Sequence, residues 1–222
     1  MHYCSTCYVS EPTTVQEDAR MAIDDDGGRA PDTSARREEL AEAATDWALD
    51  HGLIGLRLRP LAGALGTSDR MLIYHFHDKD ALVAAILRTS NDRSLAVLRS
   101  LPPSPDVRRA VLDLWAAHRA GQLERCQRLY VEAAALGLFG QEPYARIVRD
   151  SNRVWVAAVA AHLESAGCPA GASERLANLV DAAFAGFLLD QPLGEDRTLH
   201  ESVEDLAEAA AQIAEAAVRA VR

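Results

Sequence analysis

The 222-residue chain is poor in aromatics (5%), carries four cysteines and a single lysine, and holds no apolar run longer than about eight residues. The short apolar runs exclude a membrane-spanning helix, which needs ~20 such residues. The first residues lack the basic, apolar and small succession of a secretory signal. A cytoplasmic protein with no membrane contact is therefore expected. Cys4 and Cys7 form a Cys-x-x-Cys pair beside His2, but zinc takes four ligands, commonly two such pairs, and Cys126 and Cys168 stand alone. Neither a metal site nor a disulfide framework is expected, and no cofactor motif is present.

What the chain does have is alanine, 41 of them, within a hydrophobic content of 49%. Alanine is the strongest helix former, so the fold class expected is all-α. The 23 basic residues are 22 arginines and Lys79. The net charge of −10 argues at first against nucleic acid. Its distribution matters more: residues 1–35 carry 2 basic and 7 acidic side chains, 36–100 carry 9 and 9, and 101–222 carry 12 and 17. A phosphate partner is thus best met by 36–100, because screening limits distant charge to roughly 8–10 Å.

Residues 1–34 read as a disordered acidic tail, with Asp24-Asp25-Asp26-Gly27-Gly28 and no apolar periodicity. From there Leu40, Ala44, Trp47 and Ala48 fall on one helical face, behind a candidate N-cap at Thr33 or Ser34, and His51-Gly52 ends this helix. Short helices follow over about 58–65 and 69–75, the second capped by Ser68, and a fourth runs from Lys79, capped by Asp78, towards Leu98. Pro60 is tolerated because it lies in a first turn. The Pro102-Pro103-Ser104-Pro105 stretch breaks the chain. Five more helices are expected at about 105–120, 123–137, 143–166, 172–190 and 199–221, about nine in all.

Residues 58–76, LRPLAGALGTSDRMLIYHF, have the order helix, Gly-containing turn, helix, which is the helix-turn-helix signature. Ala62 is small where two helices cross, Gly66 suits a left-handed turn, and Leu61, Leu65 and Leu72 fill the wedge between them. That leaves Asp69, Arg70, Met71, Ile73 and Tyr74 outward, an apolar and aromatic set that suits a major groove better than a merely solvated helix.

Leu72, His75, Phe76 and Lys79, preceded by Leu61-Ala62 and Leu65-Gly66, resemble the TetR (tetracycline-repressor-type) family of bacterial transcriptional regulators. Ala43-Ala44, Trp47 and Gly52 match in the helix before. The resemblance covers about 36–85. It implies an N-terminal three-helix DNA-binding domain (35–80), a C-terminal helical domain for ligand binding and dimerisation (81–222), and a homodimer on a palindromic operator, released by a small-molecule effector. Double-stranded DNA, that effector and a second copy are then the partners. Lys79 would donate to a phosphate from the first turn of helix 4, where the helix dipole adds positive charge. Tyr74 and His75 would contact the DNA backbone. The family's tyrosine position is Ile73 here, so the phenol of Tyr74 is turned by about 100°. Arg37, Arg57 and Arg59 are further backbone candidates, Arg57 standing where the family has a Ser or Thr cap. Arg70 is the candidate base reader, since bidentate arginine–guanine bonds are the commonest specific contact, and Met71 and Ile73 could meet thymine methyls. Asp69 and Ser68 complete the set.

Beyond the break, Trp115, His118, Tyr130, Phe139 and Trp155 lie on helices that in the family enclose a ligand cavity. Leu176, Val180, Ala183 and Phe187, and then Leu206, Ala210, Ile213 and Ala217, recur at spacings of three and four. Such stripes pack helices closely, within one chain or between two, and by the resemblance they form the dimer interface. No enzyme is expected. There is no Gly-x-Ser-x-Gly elbow, His-Glu-x-x-His or phosphate-cradling glycine loop. His75 and His77 would point about 200° apart on a helix, poor geometry for one metal. The competing reading is a dimeric helical protein-binding module without DNA binding.

Overall fold

A computed structural model describes residues 33–191 and 196–221. The tail, with His2, Cys4 and Cys7, lies outside the described residues. Nine helices and no strand occur among those described: α1 (Thr33–His51), α2 (Leu58–Ala64), α3 (Asp69–Phe76), α4 (Lys79–Ser100), α5 (Val107–His118), α6 (Gly121–Leu138), α7 (Tyr144–Ser165), α8 (Ala170–Asp190) and α9 (Asp196–Val221). The fold is all-α. No helix among the described residues is long and apolar enough to cross a membrane.

Helix starts follow from local chemistry where a cap exists. Ser68 Oγ accepts from Met71 N (3.2 Å), and the carboxylates of Asp78 and Asp106 accept from Ala81 N and Arg109 N, both at 2.7 Å. Each satisfies an N–H that a first helical turn leaves without a partner. Helix α1 is already running at Thr33, so Ser34 lies inside it and is not its cap.

Two apolar cores stack along the molecule. The first joins Leu40, Ala44 and Ala48 of α1, Leu61 of α2, Leu72 and Phe76 of α3 and Leu82 and Ile86 of α4, and it continues into Leu129 and Ala133 of α6 and Ile147 of α7. The second joins Leu98, Leu114, Leu123, Val159, Leu163, Val180 and Phe184 with Ala207, Ala210 and Ala214 of α9. Burying a leucine side chain contributes about 1.5–3 kcal/mol, so both layers are substantial. Helix α4 contributes to both, with Leu82 at one end and Leu98 at the other. Buried Thr45 ties α1 to it, its hydroxyl lying 2.7 Å from Ala41 O and 3.4 Å from Ile86 O. Arg93 of α4 holds Asp46 (2.6 Å) and Glu42 on α1.

Candidate functional site

The turn between α2 and α3 is built as the sequence demands. Gly66 takes φ +64, and the N–H of Thr67 bonds back to Ala62 O at 2.9 Å. Leu61 and Leu72 are fully buried in the wedge, Leu65 half-buried, and Phe76 is sealed beneath α4. With that face committed to the core, α3 turns Asp69, Arg70, Met71 and Tyr74 outward. Met71 is 42% and Tyr74 65% exposed, unusual for large apolar side chains on an eight-residue helix. Ile73 and His75 are half-buried, and the rings of Tyr74 and His75 meet edge to face at 5.2 Å. Asp69 Oδ1 accepts from Arg70 N at 3.0 Å. Lys79 is exposed as the first residue of α4, beside the Asp78 cap.

The other basic candidates flank this face. Arg59 and Arg57 are exposed at the start of α2, and Arg57 makes no side-chain cap bond. Arg37 lays its guanidinium over the Phe76 ring, 5.3 Å from the centroid, a cation–π contact that fixes its stem against α3. Between α3 and α4, His77 takes φ 72 and ψ −45, with its N–H on Ile73 O at 2.7 Å. Sequence reasoning missed this strained corner.

A second feature ties this unit to α6. The Glu132 carboxylate accepts from Leu53 N (2.7 Å) and Ile54 N (3.1 Å), closing the turn after α1. Gly52 sits at φ +79, and a Cβ there would lie 2.7 Å from Glu132 Oε1. Arg125, two turns earlier on α6, pairs with Asp50 at 2.5 Å.

Behind the first core, α4, α6 and α7 enclose a cavity of about 440 Å³ including its open mouth, with about 30 Å³ of free volume. Leu87, Ile147, Val148 and Trp155 form its apolar wall, and Tyr130 reaches it from α6. Of the five expected ligand contacts, Tyr130 and Trp155 line this cavity. The other three do not. Trp115 packs on Phe184 and Phe187 (ring centroids 4.9 and 5.7 Å), and buried His118 sits between Trp155 and Phe184, so both belong to the second core. Phe139 follows the last turn of α6 and is 80% exposed. Sequence reasoning also missed Ser90, Asn91, Gln127 and Ser151, although Leu87/Asn91/Ser94 and Ile147/Ser151/Trp155 recur at helical spacing.

Burial sets the titration of these groups. It pushes His118 down to about 4, against a smaller upward pull from its bond to Leu114 O. It pushes Tyr130 up to about 12, helped by the nearby Asp181 charge. Asp181 is itself raised by burial, partly offset by the hydrogen bond it accepts from Trp155 Nε1 at 2.8 Å.

The late stripes face inward. Leu176, Val180 and Ala210 are buried in the second core, and Phe187, Leu206, Ile213 and Ala217 pack half-buried against it, with Ala183 also half-buried. The reason is that α8 is clasped by α7 and α9, and α9 lies along α5. Outward on α8 stand Leu179 (46% exposed), Ala182, Gly186 and Leu189 (58%), together with the polar Glu174, Arg175, Asn178 and Asp190. On α9 the outward set includes Ala209, Gln212 and Ala216.

No protein-family profile matches the chain. It is 35% identical over 79 residues to the HTH-type transcriptional regulator RutR of Escherichia coli K12, a match spanning 36% of this chain and 37% of RutR. Among solved structures, a transcriptional regulator from Rhodococcus sp. Rha1 is 27% identical, with a TM-score of 0.65 over 79% of this chain and 96% of the other. A TetR transcriptional regulator from Legionella pneumophila is 19% identical, with a TM-score of 0.61 over 79% and 96%. With nine helices in this order among the described residues and a helix-turn-helix at α2–α3, the chain has the fold of the TetR-family transcriptional regulators.

Proposed function

We propose that the protein is a ligand-responsive transcriptional regulator, a repressor that binds a palindromic operator as a homodimer and leaves it when a small molecule fills the α4–α6–α7 cavity. The observation that carries the reading is the outer face of α3. A short helix that presents arginine, methionine and tyrosine to solvent while Leu72 and Phe76 are wholly buried is arranged to meet something. Arg70 is free to reach a guanine edge and Met71 a thymine methyl, while Lys79 at the start of α4 meets phosphate. Asp69 and Ser68 serve the helix terminus, and Arg37, Arg57 and Arg59 surround the face with backbone contacts.

Two copies place two such faces on one side of DNA, and the two-fold symmetry of a dimer matches that of a palindrome. The outward faces of α8 and α9, with Leu179, Ala182, Gly186 and Leu189 at the centre, are the surface through which the copies join. Release requires the effector to favour a spacing of the two reading heads that misses the operator. Moving such an equilibrium from 99:1 to 1:99 takes about 5.5 kcal/mol of differential affinity. Helices α4 and α6 carry that signal, since both line the cavity and both touch the DNA-binding unit.

Capture of sheared source-genome DNA by the purified protein, followed by sequencing, tests the reading. Enrichment of a short palindrome at a few promoters is expected. A folded dimer that enriches nothing at low salt contradicts it and favours a protein-binding module, for which the net acidity already speaks.

A further inference from the structure

The chemistry of the cavity wall names the kind of molecule it takes. Between the apolar side chains stand Ser90, Asn91, Ser94, Gln127, Tyr130 and Ser151. All are neutral and all can hydrogen-bond. Ser94 donates to Ser90 O at 3.0 Å and so offers only acceptor capacity. Among the described residues, the side chains of Ser90, Asn91, Gln127, Tyr130 and Ser151 make no hydrogen bond to another protein group. Their donors and acceptors are open to whatever occupies the cavity. No Asp, Glu, Lys, Arg or His contributes to the lining among the described residues. Asp181, whose charge acts on Tyr130, lies outside the lining and is engaged by the indole N–H of Trp155. The phenol of Tyr130, raised to about 12, keeps its proton at neutral pH and serves as a donor.

An anion would be desolvated here beside the Asp181 charge, and a cation would find that carboxylate outside the lining and already bonded to Trp155. Neither has a free counter-charge, and polar neutral groups offset the penalty poorly. A purely apolar ligand would leave five hydrogen-bonding side chains unpaired. Both arguments lead to the same class. Resting on the effector reading above, we propose that the cavity takes a small uncharged molecule bearing both a carbonyl-type acceptor and an N–H or O–H donor, of the amide or lactam kind, held by Asn91, Gln127 and the surrounding hydroxyls. The small free volume restricts it to fragment size.

The test is a matched set on one scaffold, with benzamide, benzoate and benzylamine each titrated to about 20 mM against the full-length protein by thermal shift. Benzamide is expected to raise Tm, by about 3–6 °C at ten times its dissociation constant, while the two ions give no comparable rise. Gln127→Leu keeps the volume and loses the hydrogen bonds, so the benzamide shift should fall at least several-fold; Ser151→Leu, which narrows the cavity, should abolish it. Benzoate or benzylamine giving the largest shift overturns the proposal. So does the absence of any shift, or a benzamide shift that both variants retain. Operator binding measured with the same compounds separates the two readings. Benzamide that binds but leaves DNA affinity unchanged defeats the effector reading and keeps the ligand class; an ion that binds and releases DNA does the reverse.

Discussion

Replacing Glu132 with alanine removes the contact through which α6 grips the turn at the end of α1. Two backbone N–H groups lose a carboxylate acceptor, Leu53 at 2.7 Å and Ile54 at 3.1 Å. Ile54 is 66% exposed and turns to water at little cost, but Leu53 is 1% exposed. Its amide is left unsatisfied, which costs about 1–3 kcal/mol. Because Glu132 is itself half-buried, the middle of that range is expected, about 2 kcal/mol. For a fold of this size that lowers Tm by about 4–8 °C. Glu132→Gln retains an oxygen acceptor without the charge and should recover about half. Gly52→Ala approaches the same carboxylate from the other side, at 2.7 Å and φ +79, and should fail in a similar way. Differential scanning calorimetry reads the stability, and hydrogen exchange on the peptide spanning 49–56 reads the grip itself. An alanine variant within about 1 °C of the parent, with Leu53 still protected, would refute the reasoning.

Other outcomes follow from the same structure. His118 is depressed to about 4 from an ordinary 6.5, so the unfolded chain binds the extra proton between those values. Its contribution is therefore fully present above pH 6.5 and lost as pH falls towards 4, up to about 3 kcal/mol. His162, also lowered by burial, acts in the same direction, and Asp181, raised by burial, in the opposite one. His118→Phe should flatten the fall in Tm between pH 6.5 and 4, and an unchanged slope would exclude His118 as its source. On the proposed dimer surface, Leu179→Glu should halve the mass seen by light scattering. Leu176→Ala, in the second core, should instead cost about 2–5 kcal/mol of folding stability.

The α1–α4 unit was legible because its signals are local. Ser68 and Asp78 announce helix starts through their own hydrogen bonds, Gly66 announces the turn, and Leu61, Leu72 and Phe76 announce the buried side. Other boundaries slipped by about two residues, at α5 even though Asp106 caps it. Helices α6 and α8 begin after Ala120 and Pro169 with no side-chain cap bond, and both start two residues earlier than periodicity indicates. The cavity was harder to find. Aromatic character placed Trp115, His118 and Phe139 in it, whereas neighbours in space decide between core, cavity and surface. The Leu176–Val180 and Ala210 stripes are real but cannot by their period distinguish a partner helix in the same chain from one in another. Glu132 had no sequence signal, since its partner Leu53 is 79 residues away. His77 at φ 72 was equally silent, as a non-glycine residue gives no warning of a left-handed corner.

The central claim is that the outer face of α3 reads DNA, and the most direct measurement is the affinity of Arg70→Ala and Lys79→Ala for an enriched genomic site and for a scrambled duplex, across a salt series. Arg70→Ala is expected to lose about 1–3 kcal/mol on the enriched site and little on the scrambled one. Lys79→Ala should weaken both alike and reduce the salt slope by about one. Equal losses on both duplexes for Arg70→Ala, or no loss for either variant, would contradict the account.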